Sequence, residues 1–185
     1  MISGRGSNMA ALIEACRTGA LHGIAEVVLV ISNRPDAGGL QVAREQGVSA
    51  VVIPSRGRTR EAFEQEAVAA IREVGADFIV LAGFMRRLTP LFTDAFPGRI
   101  VNIHPADTRF HRGLGAYEWA WENRLPVTKI TVHFVNDKID DGRVVAQADV
   151  DLRGARSLEE VKRRGLAVEH RFYAEALKMA FDLVG

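Results

Sequence analysis

Short apolar stretches alternate with amphipathic helical patterns through the first part of the chain, and this alternation constrains the fold more than any other feature. Stretches typical of short buried strands lie at 25–32, 49–53, 78–81 and 99–104. Helical patterns lie at 8–18, 39–46 and 59–74. Strands that alternate with helices predict an α/β fold, with a mostly parallel sheet and helices on both faces.

The second part of the chain has a different pattern. Two strand-like stretches, 127–135 and 143–150, have little sequence between them, so we expect them to pair antiparallel and extend the sheet. Ser157 then begins a long helix, and Glu160 three residues later completes a capping box. The buried stripe predicted for this helix consists of Leu158, Val161, Val168, Phe172, Ala176 and Met179. We expect residues 1–185 to form one domain.

Composition excludes several classes of protein. Apolar residues make up 48% and charged residues 25% of the 185, the ordinary mixture of a globular protein. The net charge of +1 is spread along the chain, which argues against a nucleic-acid or membrane surface. A single cysteine, Cys16, rules out an intrachain disulfide. Without a signal peptide or a long apolar run, the chain is expected to be cytoplasmic and to act on small molecules.

The stretch around residues 100–105 carries two polar side chains within an apolar strand. Asn102 and His104 are two residues apart, so they point to the same face of the strand, and Pro105 ends it. An unpaired polar group in a core costs roughly 1–3 kcal/mol. The pair therefore needs partners or a chemical purpose.

A second stretch supplies candidate partners. Thr131 and His133 lie on one strand, and a turn rich in carboxylates follows. A carboxylate beside His104 would raise the pKa of its imidazole toward neutrality, where proton transfer is efficient. From the residues alone Asp137, Asp140 and Asp141 all remain candidates for this carboxylate, and His133 is expected to be packed and hydrogen-bonded.

These motifs occur together in one order. Ser-Gly-Arg-Gly-Ser-Asn at 3–8, Leu-Ala-Gly-Phe-Met-Arg at 81–86, Asn-Ile-His-Pro at 102–105 and His-Phe-Val at 133–135 precede Asp-x-Gly-x₄-Gln at 140–147 and Glu-His at 169–170. In this order the chain resembles the folate-dependent formyltransferases, most closely the branch that formylates glycinamide ribonucleotide in purine biosynthesis. The resemblance implies a Rossmann-like formyltransferase fold, 10-formyltetrahydrofolate as co-substrate and no metal.

The resemblance also assigns roles to residues. It implies that Asn102, His104 and Asp140 are catalytic, that Thr131 supports them, and that Glu169 binds the substrate ribose. The substrate phosphate would be bound by Arg5, Gly6, Ser7 and Asn8, where a small-residue turn before a helix suits an anion on physical grounds as well. Folate would be bound by Arg60, Met85, Arg86, Arg87, Leu88, Asn102, Asn136, Asp137, Lys138, Ile139 and Asp140.

The chain departs from this family at two places. Only residues 1–3 precede the phosphate turn, where a strand is expected, so either the start codon is misassigned or the first strand is a stub. The loop at 106–113 is polar and charged where relatives are apolar. In that loop Asp107 and His111 are either new site residues or exposed loop residues. Formyl transfer to another amine, hydrolysis of 10-formyltetrahydrofolate and non-catalytic folate or nucleotide binding therefore remain alternatives. A homodimer is compatible with the sequence.

Overall fold

The computed structural model describes residues 1–184 of the chain. Its strands are β1 (Val30–Ser32), β2 (Ala50–Val52), β3 (Ile79–Leu81), β4 (Ile100–His104), β5 (Val127–Phe134) and β6 (Val144–Asp151). Its helices are α1 (Ser7–Arg17), α2 (Gly39–Glu45), α3 (Arg60–Glu73), α4 (Pro90–Ala95), α5 (Ala116–Glu122) and α6 (Leu158–Asp182). No helix among these residues combines the length and the apolar character needed to cross a membrane.

The strands pair as the sequence predicts. β1 and β2 form a parallel pair, and β3 and β4 form a second parallel pair. β5 and β6 continue the second sheet antiparallel, in the order β3-β4-β5-β6. The mostly parallel α/β fold with an antiparallel extension is therefore confirmed.

Residues 1–3 lie between the two sheets and bond to both. The amide of Ile2 donates to the carbonyl of Ile31 at 2.9 Å, and the amide of Ala82 donates to the carbonyl of Met1 at 2.9 Å. This short segment forms one parallel bridge, between Ile2 and Ser32, rather than a full strand. Residues 1–3 therefore join the two sheets without forming a full strand.

An open groove of about 980 Å³ continues from residues 1–3 along the stretch at 25–29, which was predicted as part of a strand but lies outside β1. The side chains of Val27, Leu29, Phe78 and Leu177 are among those that line it. The α-amino group of Met1 donates to the carbonyl of Val80 at 2.6 Å, and burial lowers the pKa of this amino group to about 5. The groove thus has apolar walls and a buried amine at its end.

Alternation along β4 decides which side chains face the site. Val101 and Ile103 pack into the core cluster that α6 covers, whereas Ile100 packs into the cluster that α3 and α4 cover. Asn102 and His104 share the face of Ile100, at the carboxyl end of a strand with a neighbour on each side. Ligands bind at this end of the strands in open α/β sheets.

Two features of the fold differ from the sequence prediction, and a third confirms it. The short helices α4 and α5 were not predicted, because six or seven residues give too little periodicity to detect. Met179 was wrongly placed in the buried stripe of α6, since it is half exposed, and Gly165, Glu169 and Tyr173 are buried there instead. The helix start is confirmed, because the Ser157 hydroxyl accepts from the amide of Glu160.

Candidate active site

Asn102, His104 and Asp140 lie together at the carboxyl end of β4. His104 is buried, and its Nδ1 lies 3.4 Å from Asp140 Oδ2. Asn102 Nδ2 donates to Asp140 Oδ1 at 3.3 Å. Asp140 reaches this position from a turn, where it adopts a φ of +47°. The three groups that the sequence singled out are therefore in direct contact.

The two rival carboxylates lie elsewhere. Asp141 forms a salt bridge with Arg112, at 2.6 Å from Nη1 to Oδ1. Asp137 is exposed, and its backbone carbonyl accepts from Arg87. Of the three acidic residues in this turn, Asp140 is the one whose carboxylate pairs with His104.

Burial and charge act against each other at this pair. Burial lowers the pKa of His104, while the charge of Asp140 and the hydrogen bond to a loop carbonyl oppose that shift without overcoming it. Burial would also raise the pKa of Asp140, but the hydrogen bond from His133 and the charge of His104 outweigh it and lower the pKa to about 2. The expectation of a net rise for His104 was wrong, because it left out desolvation.

His133 is a fourth member of the cluster that the sequence treated as packed structure. It is buried on β5 directly opposite Asn102, and its Nε2 lies 3.3 Å from Asn102 Nδ2 and 3.4 Å from Asp140 Oδ1. Its Nδ1 donates to the carbonyl of Phe134 at 2.8 Å. The spacing of His133 to Thr131 was a signal for this position, but only the strand register places His133 beside Asn102.

Thr131 is fully buried and supports the loop that follows β4. Its hydroxyl donates to the carbonyl of Ala106 at 2.6 Å and accepts from Gln147 Nε2 at 2.8 Å. Thr131 lies opposite His104 in the register of β4 and β5. Its hydroxyl therefore fixes the start of the loop through the carbonyl of Ala106.

The predicted phosphate turn begins α1. Gly6 adopts a φ of +77°, and a Cβ there would come within 2.8 Å of the Cα of Gly39. Arg5 and Ser7 are exposed, and no acidic residue lies in the first turn of the helix. The first amides of a helix have no intrahelical acceptor, so this turn offers donors to an anion.

Glu169 closes the other side of this turn. It is buried, accepts from Asn8 Nδ2 at 2.5 Å and accepts the hydroxyl proton of Tyr117. Burial raises the pKa of Glu169. Asn8 Oδ1 is buried and has no hydrogen-bond partner among the described residues. The predicted ribose and phosphate residues thus adjoin each other, although Glu169 is not the solvated glutamate usual on a helix surface.

Only some of the residues predicted to bind folate are in contact with one another. Arg87 joins the segment at 85–88 to the turn at 136–140 by donating to the carbonyl of Asp137 at 2.9 Å. Met85 and Ile139 are exposed apolar side chains, whereas Leu88 is buried in the core. Arg86 lies over the ring of Phe63, and the side chain of Asn136 accepts from the amide of Lys138. Arg60 is exposed at the start of α3.

Comparison with known proteins identifies the family. The model of the formyl transferase family matches residues 1–177. The chain is 39% identical to the phosphoribosylglycinamide formyltransferase of Escherichia coli, over 94% of this chain and 81% of that protein. The chain belongs to the formyl transferase family.

Solved structures of the family agree. Glycinamide ribonucleotide transformylase 1 from Symbiobacterium toebii superposes with a TM-score of 0.89 at 39% identity, covering 95% of this chain and 82% of the other. Phosphoribosylglycinamide formyltransferase from Brucella melitensis superposes with a TM-score of 0.89 at 38% identity, covering 97% of this chain and 92% of the other.

In this formyl transferase, the loop at 106–113 folds over the site. Asp107 is buried and bound by Arg109, whose hydrogen bonds lower the pKa of Asp107 to about 2. The carbonyl of His111 accepts from His104 Nε2 at 3.1 Å. Of the two loop residues left open by the sequence, His111 contacts the site and Asp107 supports the loop. No three His, Cys, Asp or Glu side chains among residues 1–184 are grouped to hold a metal ion.

Proposed function

We propose that this chain transfers the formyl group of 10-formyltetrahydrofolate to the amine of glycinamide ribonucleotide in purine biosynthesis. The observation that carries the proposal is the contact of Asn102, His104 and Asp140 at the carboxyl end of β4. Membership of the family adds weight, since relatives from Escherichia coli and Haemophilus influenzae are named phosphoribosylglycinamide formyltransferase.

Asn102 and His104 would act on the charge that develops during the transfer. When an amine attacks the formyl carbon, the carbonyl oxygen becomes an oxyanion, and donors placed beside it lower the barrier. The two N–H bonds of Asn102 Nδ2 now face His133 and Asp140 at 3.3 Å, long enough to be exchanged for a ligand oxygen. The imidazolium of His104 would be the second donor.

His104 would also move the proton. The attacking amine loses one proton, and the tetrahydrofolate nitrogen gains one as its bond to the formyl carbon breaks, so the protons balance. His104 can give its proton to that nitrogen directly or through water and regain one from the amine. Asp140, ionised at neutral pH, favours the charged imidazole that this step needs.

The substrates would lie on opposite sides of this cluster. The turn formed by Arg5, Gly6, Ser7 and Asn8 would hold the phosphate of the ribonucleotide, and Glu169 its ribose hydroxyls. The unpartnered Asn8 Oδ1 supports this placement, because it needs a donor such as a hydroxyl. Folate would bind against Arg60, against the segment at 85–88 and against the turn at 136–140.

The loop at 106–113 motivates a second candidate. Its charged residues, including Arg109 and Arg112, replace an apolar wall in the resembling family, so the acceptor could be another amine. Water as the acceptor would make the protein a hydrolase with the same catalytic groups.

One assay separates these functions. Purified protein is mixed with a 10-formylfolate analogue, with and without glycinamide ribonucleotide, and both deformylated folate and formylated product are measured. We expect product in equal amount to deformylated folate, and only when the ribonucleotide is present. Deformylation without the ribonucleotide would support the hydrolase, and folate binding without turnover would support a binding protein.

A further inference from the structure

A three-residue segment, 111–113, holds both members of the His104–Asp140 pair. The carbonyl of His111 accepts from His104 Nε2 at 3.1 Å, and the amide of Gly113 donates to Asp140 Oδ2 at 2.8 Å. Between them, Arg112 is paired with Asp141 at 2.6 Å. The segment therefore contacts the imidazole, its carboxylate and the neighbouring carboxylate at once.

The ring of His111 fixes the position of this segment. It stacks on His104, with ring centroids 5.9 Å apart and planes 10° apart, and it packs against Trp119 of α5 at 5.1 Å. Aromatic rings prefer such offset arrangements, and each pair contributes beyond its buried area. Behind the ring, the amide of His111 donates to the carbonyl of Asp107, and Arg112 Nε donates to the carbonyl of Thr108.

The carbonyl contact determines where the proton of His104 lies. A carbonyl oxygen can only accept, so Nε2 of His104 must carry a hydrogen in this arrangement. The carboxylate at Nδ1 is ionised, so a hydrogen on Nδ1 is also favoured. Two acceptors thus face the two nitrogens, and both oppose the loss of a proton that burial of the ring favours.

We propose that His111 is a positioning residue for His104. Its carbonyl keeps a proton on Nε2 until a substrate atom takes the place of that carbonyl, and its ring, held between His104 and Trp119, keeps the carbonyl in reach. This role rests on the proposed function, in which His104 gives its proton to the leaving nitrogen. The positioning depends on the loop at 106–113, and the imidazole of His111 itself takes no part in the proton transfer.

The first test separates positioning from a general effect on the fold. His111→Ala removes the stacked ring, so kcat should fall roughly 10–100-fold, as for a misplaced catalytic group, while KM for the folate stays within about twofold. His111→Phe keeps the ring and should restore kcat to within about threefold of the wild type. Phe110→Ala, at an exposed neighbouring position, is the control and should leave both constants unchanged.

The second test does not depend on turnover. In ¹⁵N-labelled protein, the Nε2–H resonance of His104 should be protected from exchange in the wild type and in His111→Phe, and lost in His111→Ala. If His111→Ala does not fold, His111→Leu removes the stack while filling the space. Wild-type kcat with a retained resonance in the Ala or Leu variant would overturn the proposal, as would a Phe variant as impaired as Ala. Absence of formyl transfer by the wild type would instead count against the proposed function, and the resonances would still decide the role of His111.

Discussion

Asn102 and His133 face each other across β4 and β5, with Asn102 Nδ2 3.3 Å from His133 Nε2. Because His133 Nδ1 donates to a backbone carbonyl, its Nε2 can accept from the amide of Asn102 when the ring is neutral and can donate to Asp140 when the ring is charged. The amide is therefore oriented by two partners, His133 and Asp140. His133, which the sequence predicted to be a packed structural residue, therefore helps to orient Asn102, the proposed oxyanion donor.

Replacing His133 tests this orientation. His133→Phe fills the same space but leaves the buried carbonyl of Phe134 and the amide of Asn102 each short of a partner, so the free energy of unfolding should fall by about 1–3 kcal/mol. Turnover should fall as well, because the amide of Asn102 loses a partner that holds its orientation. Thr128→Val, a buried substitution on the core face of β5, is the control for both urea denaturation and kcat. Unchanged turnover in His133→Phe would show that Asn102 needs no help from His133.

Gly6 tests the phosphate turn. Its φ of +77° and the 2.8 Å approach of a Cβ to Gly39 predict that Gly6→Ala destabilises the protein by more than the roughly 1–2 kcal/mol of a left-handed residue alone. KM for the ribonucleotide should rise, since the amides no longer surround the phosphate. Gly23→Ala, with a φ of +71° and open space around it, shares the conformational cost and should leave KM unchanged. An equal KM for the ribonucleotide in both variants would show that the phosphate does not bind at the turn that contains Gly6.

The groove beside residues 1–3 predicts that an engineered extension stabilises the protein. Three apolar residues placed before Met1 would enter the groove, where each fully buried side chain contributes about 1.5–3 kcal/mol. Tm should therefore rise relative to the original chain. Equal melting curves for both proteins would show that the groove does not limit stability.

The sequence predicted the parts of the fold that depend on local patterns. Alternation of apolar residues identified β4, and the spacing of Asn102 to His104 placed both on one face. The contact of His133 with Asn102 depends on the register of two strands, which local patterns do not reveal. The packing of His111 against Trp119 depends on α5, a helix of seven residues that lacked a detectable period.

The pKa of His104 shows a different limit. The residues alone left three carboxylates as its possible partner, the resemblance implied Asp140, and the turn does bring Asp140 to the imidazole. The degree of burial of His104 could not be predicted, since it depends on the loop at 106–113 and on β5, which cover the ring from two sides. Desolvation then exceeded the attraction that the sequence had suggested.

The most direct test of the proposed mechanism is the pH–rate profile of Asp140→Asn beside Asp141→Asn. Asp140 raises the pKa of His104, so removing its charge should lower that pKa and move the limb governed by protonated His104 to lower pH. Asp141 pairs with Arg112 instead, so Asp141→Asn should leave the limb in place. A shift in Asp141→Asn without one in Asp140→Asn would contradict the assignment of the carboxylate, and unchanged profiles in both variants would contradict proton transfer by His104.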